Sequence, residues 1–573
     1  MRVSPKKWIL KVKPDDQKVF KLSKELGVSK AICSLLVSRD IDTFEKAKTF
    51  FRPQLNMLHD PFLMKDMDKA VYRITTAISS NESIRVYGDY DVDGTTSVSL
   101  MYSFLKSQKA LCDYYIPDRY NEGYGVSYLG IDDAIEKGIT LMITLDCGVK
   151  AIEKIAYAQS KGLDIIVCDH HRPGEVLPNA FAVLDPKRED CEYPFKELCG
   201  CGVGFKLMQA YLKHHKLNEE IALEYLDYVA VAIGADIVPI VGENRVLAFY
   251  GLKRLNAKPR MGMLALMKKH KSIGKMTITD VVFTIAPRIN AAGRMKHAHN
   301  AVHLLIEENE SEAIKIANDI EEFNTDRRSQ DQRIAKEAHV QILENKEEIR
   351  ASTVVYNPEW HKGVIGIVAS RLIETYYRPT VVFTKSKGGV LAASVRSVYG
   401  FDVYEALEAC KEHIDQFGGH MYAAGLTLKE ENYEAFKDAF EKVVSETITE
   451  EQKVEVFAID AELDFTDITD GFNNILKQFQ PFGPENMAPL FVTKNVLDKG
   501  YSRAVGAEKD HLKLHMCTEQ ERLSEMNGIA FKLGKHASYI SKGLAFDICY
   551  AIQENVWQGK TTIQLGVRDV KIG

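Results

Sequence analysis

The sequence predicts a multidomain α/β protein: a parallel-sheet domain, a long connecting helix, a smaller α/β domain and a C-terminal all-β domain. Three observations predict it. Short apolar runs alternate with helical stretches from residue 84 to about 185. A charge-rich segment at 306–350 contains neither Gly nor Pro. From about 454 the texture changes to short strand-like runs punctuated by Gly, Asn and Asp. Apolar runs separated by helices are the pattern of a parallel sheet, and evenly spaced short runs that of an all-β domain. At 573 residues the chain is too long for one hydrophobic core, which agrees with several domains.

Residues 1–80 read as a small helical lead-in, carried by VFKLSKELGVSKAICSLLVSR. Residues 81–305 form the first domain. Its expected strands are IRVYG (84–88), ALCDYYI (110–116), ITLMITL (139–145), LDIIVC (163–168) and AFAVL (180–184). TTSVSLMYSFLKSQ and KAIEKIAYAQSKG supply covering helices, and 219–305 is mostly helical. Residues 306–350, dense in Glu, Lys, Arg and Ala, read as a long exposed helix that acts as a spacer. Residues 351–453 open with STVVYN (352–357) and PTVVFTK (379–385) as strands, with the helix VIGIVASRLIETYY (364–377) between them. In 454–573, KVEVFAIDAEL, APLFVTKNVLD, HLKLHMCT, FDICYAI and KTTIQLGVRDVKI suggest a small barrel or sandwich.

A composition of 45% hydrophobic and 27% charged residues is that of an ordinary globular protein. The net charge of −6 excludes a uniformly basic nucleic-acid coat but leaves room for a local basic groove. Ten cysteines occur without a C-x-x-C pair. Cys199 and Cys201 in LCGCG are one residue apart, a spacing that suits neither a zinc knuckle nor a thioredoxin motif, so all ten are expected as reduced thiols. The opening MRVSPKKWILKVKPDD lacks the apolar core of a signal peptide, and no segment approaches 18 uninterrupted apolar residues. A soluble, cytoplasmic protein is expected.

The chemistry is concentrated at expected strand ends. IRVYGDYDVDGTTS places Asp89, Asp91 and Asp93 within five positions directly behind a strand. Three carboxylates this close repel by about 2 kcal/mol per pair at an effective dielectric of about 20, a cost that a bound cation reverses. Asp146 follows ITLMITL, and Asp169, His170 and His171 follow LDIIVC. Open parallel sheets bind ligands at this carboxyl edge. Asp236, in AVAIGADIVPI, ends an apolar helix-like segment. Single aspartates behind strands are commonly caps, but caps need neither imidazole nor a triple carboxylate. DYDVDG also opens like an EF-hand loop, yet its twelfth position is Leu100 rather than Glu, and a strand rather than a helix precedes it.

Carboxylates with one or two imidazoles and no thiolate suit Mn²⁺ or Mg²⁺. The ligands suffice for two ions, the usual device for phosphoester hydrolysis, with Asp91, Asp93 or Asp146 available as a bridge. No Ser-His or Cys-His nucleophile is evident, so a metal-activated water is the expected nucleophile.

GDYDVDG, LDCG, DHH and GADIVP, in that order, resemble the four motifs of the DHH phosphoesterase superfamily. PRINAAGRM (287–295), WHKGVIGIVASRL (360–372), SVRS (394–397) and FGGHMYAAG (417–425) resemble the remaining motifs of its RecJ branch, whose members are single-strand-specific 5′→3′ DNA exonucleases of recombination and repair. FQPFGPENMAPLF (479–491) is similar to the segment that leads into the RecJ OB-fold. The resemblance implies a DHH domain, a DHHA1 domain and an OB-fold, in that order. It implies that Asp89, Asp91, Asp93, Asp146, His170 and Asp236 hold the metals, and that His171 lies beside the scissile phosphate. It gives Arg288, Arg294, Ser394 and Arg396 backbone phosphates to grip, with Arg119 a further candidate. Gly418, Gly419 and His420 form the glycine-rich element of DHHA1. Pyrophosphatase relatives carry a histidine ligand where this chain has Tyr87, so Asp89 takes its place.

On this reading the second domain closes over the first to form a cleft too narrow for a duplex. The barrel holds the incoming strand, with Phe531, Tyr550 and Trp557 as candidate stacking residues among a majority of core aromatics. The partners so implied are single-stranded DNA, a RecQ-type helicase and a single-strand-binding protein, with the chain a monomer and no membrane involved. Two other readings compete: a DHH phosphodiesterase of oligoribonucleotides or cyclic dinucleotides, and a DHH-type scaffold that binds DNA without cutting it.

Overall fold

The structure is a computed structural model and describes residues 6–269, 274–386, 389–518 and 524–572. The chain divides into two units: Arg39–Thr325 with Leu476–Ala488, and Met1–Ser38 with Asp326–Ile475 and Pro489–Gly573. The first element corrects the expected helical lead-in. Lys6–Leu10 form a strand, β1, paired in parallel with Glu455–Ile459. Trp8 donates its indole N–H to Asp569 at 2.8 Å, and Lys6 lies 3.2 Å from Glu455. These partners lie far along the chain, so no local pattern announces the strand. The expected helices follow at Asp16–Leu26, Lys30–Val37, Phe44–Phe51 and Met67–Ser79.

In the unit built on Arg39–Thr325, each expected apolar run contains a strand. They are β2 (Ile84–Gly88), β3 (Cys112–Tyr115), β4 (Leu141–Leu145), β5 (Asp164–Cys168) and β6 (Ala182–Leu184), all parallel in the order β3-β2-β4-β5-β6. Every residue of β2 and β4 is buried, because helices cover both faces. Val86, Ile143 and Ile166 enter one core with the helices Val92–Ser107, Gly200–His214 and Leu226–Ala235; Tyr87, Met142 and Val167 enter a second core on the opposite face. Gly88, Leu145 and Cys168 are in register across β2, β4 and β5, so the three acidic segments leave the sheet side by side.

The connecting helix runs Glu310–Glu344, but it is no mere exposed spacer. Ala313, Ile316, Ala317 and Ile320 are buried in the core of the unit that holds β2–β6, and Ile334, Ala338 and Ile342 in a core of the other unit. Spacings of three and four put each set on one helical face.

In the other unit, β7 (Thr353–Tyr356), β8 (Thr380–Lys385), β9 (Val390–Arg396), β10 (Gln416–His420) and β11 (Ala423–Lys429) form a sheet ordered β10-β11-β9-β8-β7. After β12 (Glu455–Ile459) come β13 (Ala461–Glu462), β14 (Phe491–Asp498), β15 (Arg503–Val505), β16 (His511–Thr518), β17 (Met526–Ala530), β18 (Phe546–Trp557) and β19 (Lys560–Ile572). β14 pairs with both β18 and β16, closing the ring β14-β18-β19-β17-β16. Closure makes this a barrel rather than a sandwich. Among the described residues all ten cysteines are buried free thiols, and no helix is long and apolar enough to cross a membrane.

Candidate metal centre

β2 delivers Asp89 at its end, and the next residues begin the helix Val92–Ser107, capped by Asp91, which accepts from the Gly94 N–H at 3.0 Å. A Cβ on Gly94 would lie 2.3 Å from the Asp89 carbonyl oxygen, so only glycine lets strand and helix meet this tightly. Asp93, in the first turn of this helix, is buried and accepts from the N–H groups of Gly200 (2.6 Å) and Cys201 (2.8 Å). Those donors open the helix Gly200–His214, where a carboxylate is favoured by both hydrogen bonding and the helix dipole. Asp146 follows β4 with φ +60°, and a Cβ on Gly200 would sit 2.6 Å from its Cβ. Asp236 ends the helix Leu226–Ala235 and precedes Ile237, a β-branched residue also at φ +60°. Such strained backbone is sustained where surrounding structure fixes a side chain for function.

The side chains converge. The Nε2 of His170 lies 3.0 Å from Asp146, 3.6 Å from Asp236 and 3.8 Å from Asp93. Three sets of ligand atoms each fall within 4.8 Å of one another: Asp93, His170 and Asp236; Asp89, Asp91 and Asp146; and Asp146, His170 and His171. Burial, reinforced by Asp91, pushes Asp93 up to about 7, while burial with Asp93 and Asp91 pushes Asp236 up to about 8. Burial followed by neighbouring carboxylates also raises Asp89 and Asp146. Burial drives His170 down to about 3, leaving a neutral imidazole among carboxylates. The Oδ2 of Asp89 is buried without a hydrogen-bond partner. Neutral imidazole, crowded carboxylates and an orphaned buried oxygen fit divalent cations, which relieve each of these penalties.

Asp169 does its work one step back. It accepts from the backbone of Val149 at 2.9 Å and His170 at 2.8 Å and bonds His171 Nδ1 at 2.8 Å, fixing the orientation of that half-buried ring. Sequence reasoning noted Asp169 but assigned it no role. It missed Gly200 and Cys201, having weighed LCGCG for thiols rather than for backbone donors. Tyr87 is a core residue here, its hydroxyl donating to the Gly125 carbonyl at 2.9 Å.

The phosphate candidates divide. The Arg119 guanidinium lies over the Tyr90 ring at 4.8 Å, and a Cβ on Gly293 would approach the Tyr90 carbonyl to 2.9 Å, so Arg119 and Arg294 flank the segment carrying Asp89 and Asp91. Arg288 lies in a helix, against Glu321. It is 8% exposed and donates to Glu321 at 2.5 Å and to the Thr284 carbonyl at 2.7 Å, which makes it a brace for its helix. In the other unit, Ser394 and Arg396 sit two apart on β9 and bond each other at 3.0 Å. Register aligns Ser394 with Gly425 and Gly418, and Arg396 with Ala423 and His420. Because paired and alternate residues share a face, these side chains border a shelf of Gly and Ala, and a Cβ on Gly418 would meet nothing within 4 Å. A Cβ on Gly419 would strike the Ala423 carbonyl oxygen at 2.4 Å. Of the three barrel aromatics, Phe531 and Trp557 are exposed, whereas Tyr550 is a core residue bonded to Thr493 at 2.8 Å.

The model of the DHH family, N-terminal domain, matches residues 83–233; that of the DHHA1 domain matches 350–446, and that of the RecJ OB domain 459–569. A parallel sheet with this acidic centre at its carboxyl edge is thus a DHH-class fold. The single-stranded-DNA-specific exonuclease RecJ of Bacillus subtilis (strain 168) is 37% identical, over 100% of this chain and 72% of that one. The crystal structure of RecJ in complex with Mn²⁺ from Thermus thermophilus matches with a TM-score of 0.83 at 26% identity, covering 99% of this chain and 80% of that one. The Mg²⁺ complex from the same organism matches at 0.78 and 25% identity, covering 99% and 78%. The chain belongs to the RecJ family of single-stranded-DNA-specific exonucleases.

Proposed function

We propose that this chain is a metal-dependent exonuclease that hydrolyses single-stranded DNA from its 5′ end in recombination and repair. The observation that carries the reading is the convergence of Asp89, Asp91, Asp93, Asp146, His170 and Asp236 from three strand ends and two helices. Two divalent ions, Mn²⁺ or Mg²⁺, fit these ligands, and Asp146 is shared between two of the sets. Bound there, they supply charge neutralisation at the phosphoryl oxygens and an activated water.

The chain's own groups provide the rest. The amides of Gly200 and Cys201 hold Asp93 in place, and Asp169 orients His171 as a stabiliser of phosphoryl charge. Arg119 and Arg294 line the approach. Ser394 and Arg396 bind the terminal phosphate beside the open shelf of Gly418, Gly419 and His420, since a guanidinium fork matches phosphate oxygens. The barrel takes the following strand, with Phe531 and Trp557 available for stacking. Family resemblance extends the proposal to a RecQ-type helicase and a single-strand-binding protein as partners, and to a cytoplasmic monomer. The test is a timed digestion of strands blocked at either end, with Mn²⁺ and with chelator. A 5′ block or chelator stops nucleotide release and a 3′ block does not; release that persists under a 5′ block overturns the polarity.

A further inference from the structure

Tyr399 and Tyr422 are 77% and 45% exposed, large aromatic side chains that the barrel and the metal centre do not use. Their planes lie 14° apart, with ring centroids separated by 6.5 Å. Tyr399 stands three residues beyond Arg396, and Tyr422 occupies the two-residue turn between β10 and β11. The carbonyl of Tyr422 accepts from the Ser397 N–H at 3.0 Å, which fixes that turn against the end of β9. Tyr422 is therefore tethered at the edge of the shelf where Arg396, Ala423 and His420 share one row, and Tyr399 lies two residues beyond the Ser397 end of that bond.

We propose that Tyr399 and Tyr422 form an aromatic clamp for one nucleobase of the strand whose phosphate Ser394 and Arg396 hold. The inference rests on the nuclease reading above and names a contact that reading lacks. Stacked bases repeat at about 3.4 Å, so two near-parallel rings bracketing a base stand with their planes roughly 6.8 Å apart; the centroid separation of 6.5 Å is an upper limit on the present gap, so a base enters with a small outward turn of these two exposed rings. A cationic phosphate site beside an exposed aromatic pair is the arrangement that reads single strands without sequence preference, because every base has a π-face. Fastening one base beside the phosphate site makes these tyrosines positioning residues, felt in substrate capture rather than in the chemical step.

The test uses the full-length, Mn²⁺-loaded chain and a 5′-phosphorylated oligothymidylate. Tyr399→Ala and Tyr422→Ala each raise KM about tenfold and leave kcat within about twofold, in line with the measured worth of base–aromatic stacking. Tyr→Phe at either position restores wild-type KM, and Tyr→Leu, which keeps apolar bulk without a ring face, does not. An abasic strand of equal length, used as competitor, inhibits wild type and variants equally, because it offers no base to clamp. An unchanged KM in the Ala and Leu variants overturns the clamp while the nuclease reading stands. So does a matching loss of affinity for the abasic strand, which would make the tyrosines phosphate contacts or structural supports. A wild-type chain that fails to cut the oligothymidylate overturns the nuclease reading and the clamp with it.

Discussion

Adding one methyl group at Gly200 should disable the centre without unfolding the protein. In the Gly200→Ala variant the new Cβ would lie 2.6 Å from Asp146 Cβ, 2.8 Å from its Cα and 3.0 Å from its Oδ1, where ordinary contact begins at 3.4 Å. Something must move by roughly 1 Å. Either the helix Gly200–His214 retreats and draws its amides away from Asp93, or Asp146 shifts away from His170, now 3.0 Å distant. Overpacking of this kind costs about 1–3 kcal/mol of stability, tolerable for a unit with a core this large. A misplacement of 1 Å costs activity about 100-fold, equivalent to about 2.7 kcal/mol in the barrier. The assay is Mn²⁺-dependent nucleotide release from a 5′-phosphorylated single strand, with thermal melting as the folding control. Gly202→Ala is the matched control: the nearest atoms to its Cβ would be those of Leu198 at 3.4 Å and Cys199 Sγ at 3.7 Å, ordinary contacts, so near-wild-type activity is expected. Folded Gly200→Ala protein with activity within threefold of wild type would refute the claim that this close approach sets the centre.

Asp146→Ala should abolish Mn²⁺-dependent cleavage, since Asp146 belongs to two of the three ligand sets; full activity in that variant would end the metal mechanism. Saturating Mn²⁺ should raise the melting temperature of chelator-treated protein. At 100 times Kd the gain is about 2.7 kcal/mol, on the order of 5 °C, and Asp236→Asn should remove most of it in calorimetry. Arg245, buried over the Phe50 ring, donates to the carbonyls of Phe50, Gln478, Phe479, Gln480 and Pro481. Arg245→Met leaves several of these acceptors unsatisfied and should cost about 3 kcal/mol or more in urea unfolding. A loss below about 1 kcal/mol would show that water replaces the guanidinium.

The parallel sheet and its acidic edge were legible because both are written locally. A strand buried on two faces must be a continuous apolar run, and the residue behind it is at the ligand-binding edge by construction. β9, β10 and β11 escaped notice because LAASVR, FGGH and AAGL are poor in the branched and aromatic residues that mark strands. Their pairing is set by the sheet they join. Arg288 shows the complementary limit. A motif places an arginine in a helix, but only packing decides whether it meets a phosphate or Glu321. The roles of Gly200 and Cys201 were hidden because a backbone N–H is common to nearly every residue and leaves no mark in composition.

The discontinuous make-up of the two units has a consequence for how the chain can be made and cut. During synthesis most of the unit that holds the acidic centre, Arg39–Thr325, has left the ribosome well before Leu476–Ala488, the stretch that supplies four of the carbonyls facing Arg245. A nascent chain therefore holds that cation without most of its acceptors until translation is nearly over. For the same reason, a truncation placed ahead of residue 476 to remove only the barrel also strips the unit built on Arg39–Thr325 of a piece of itself.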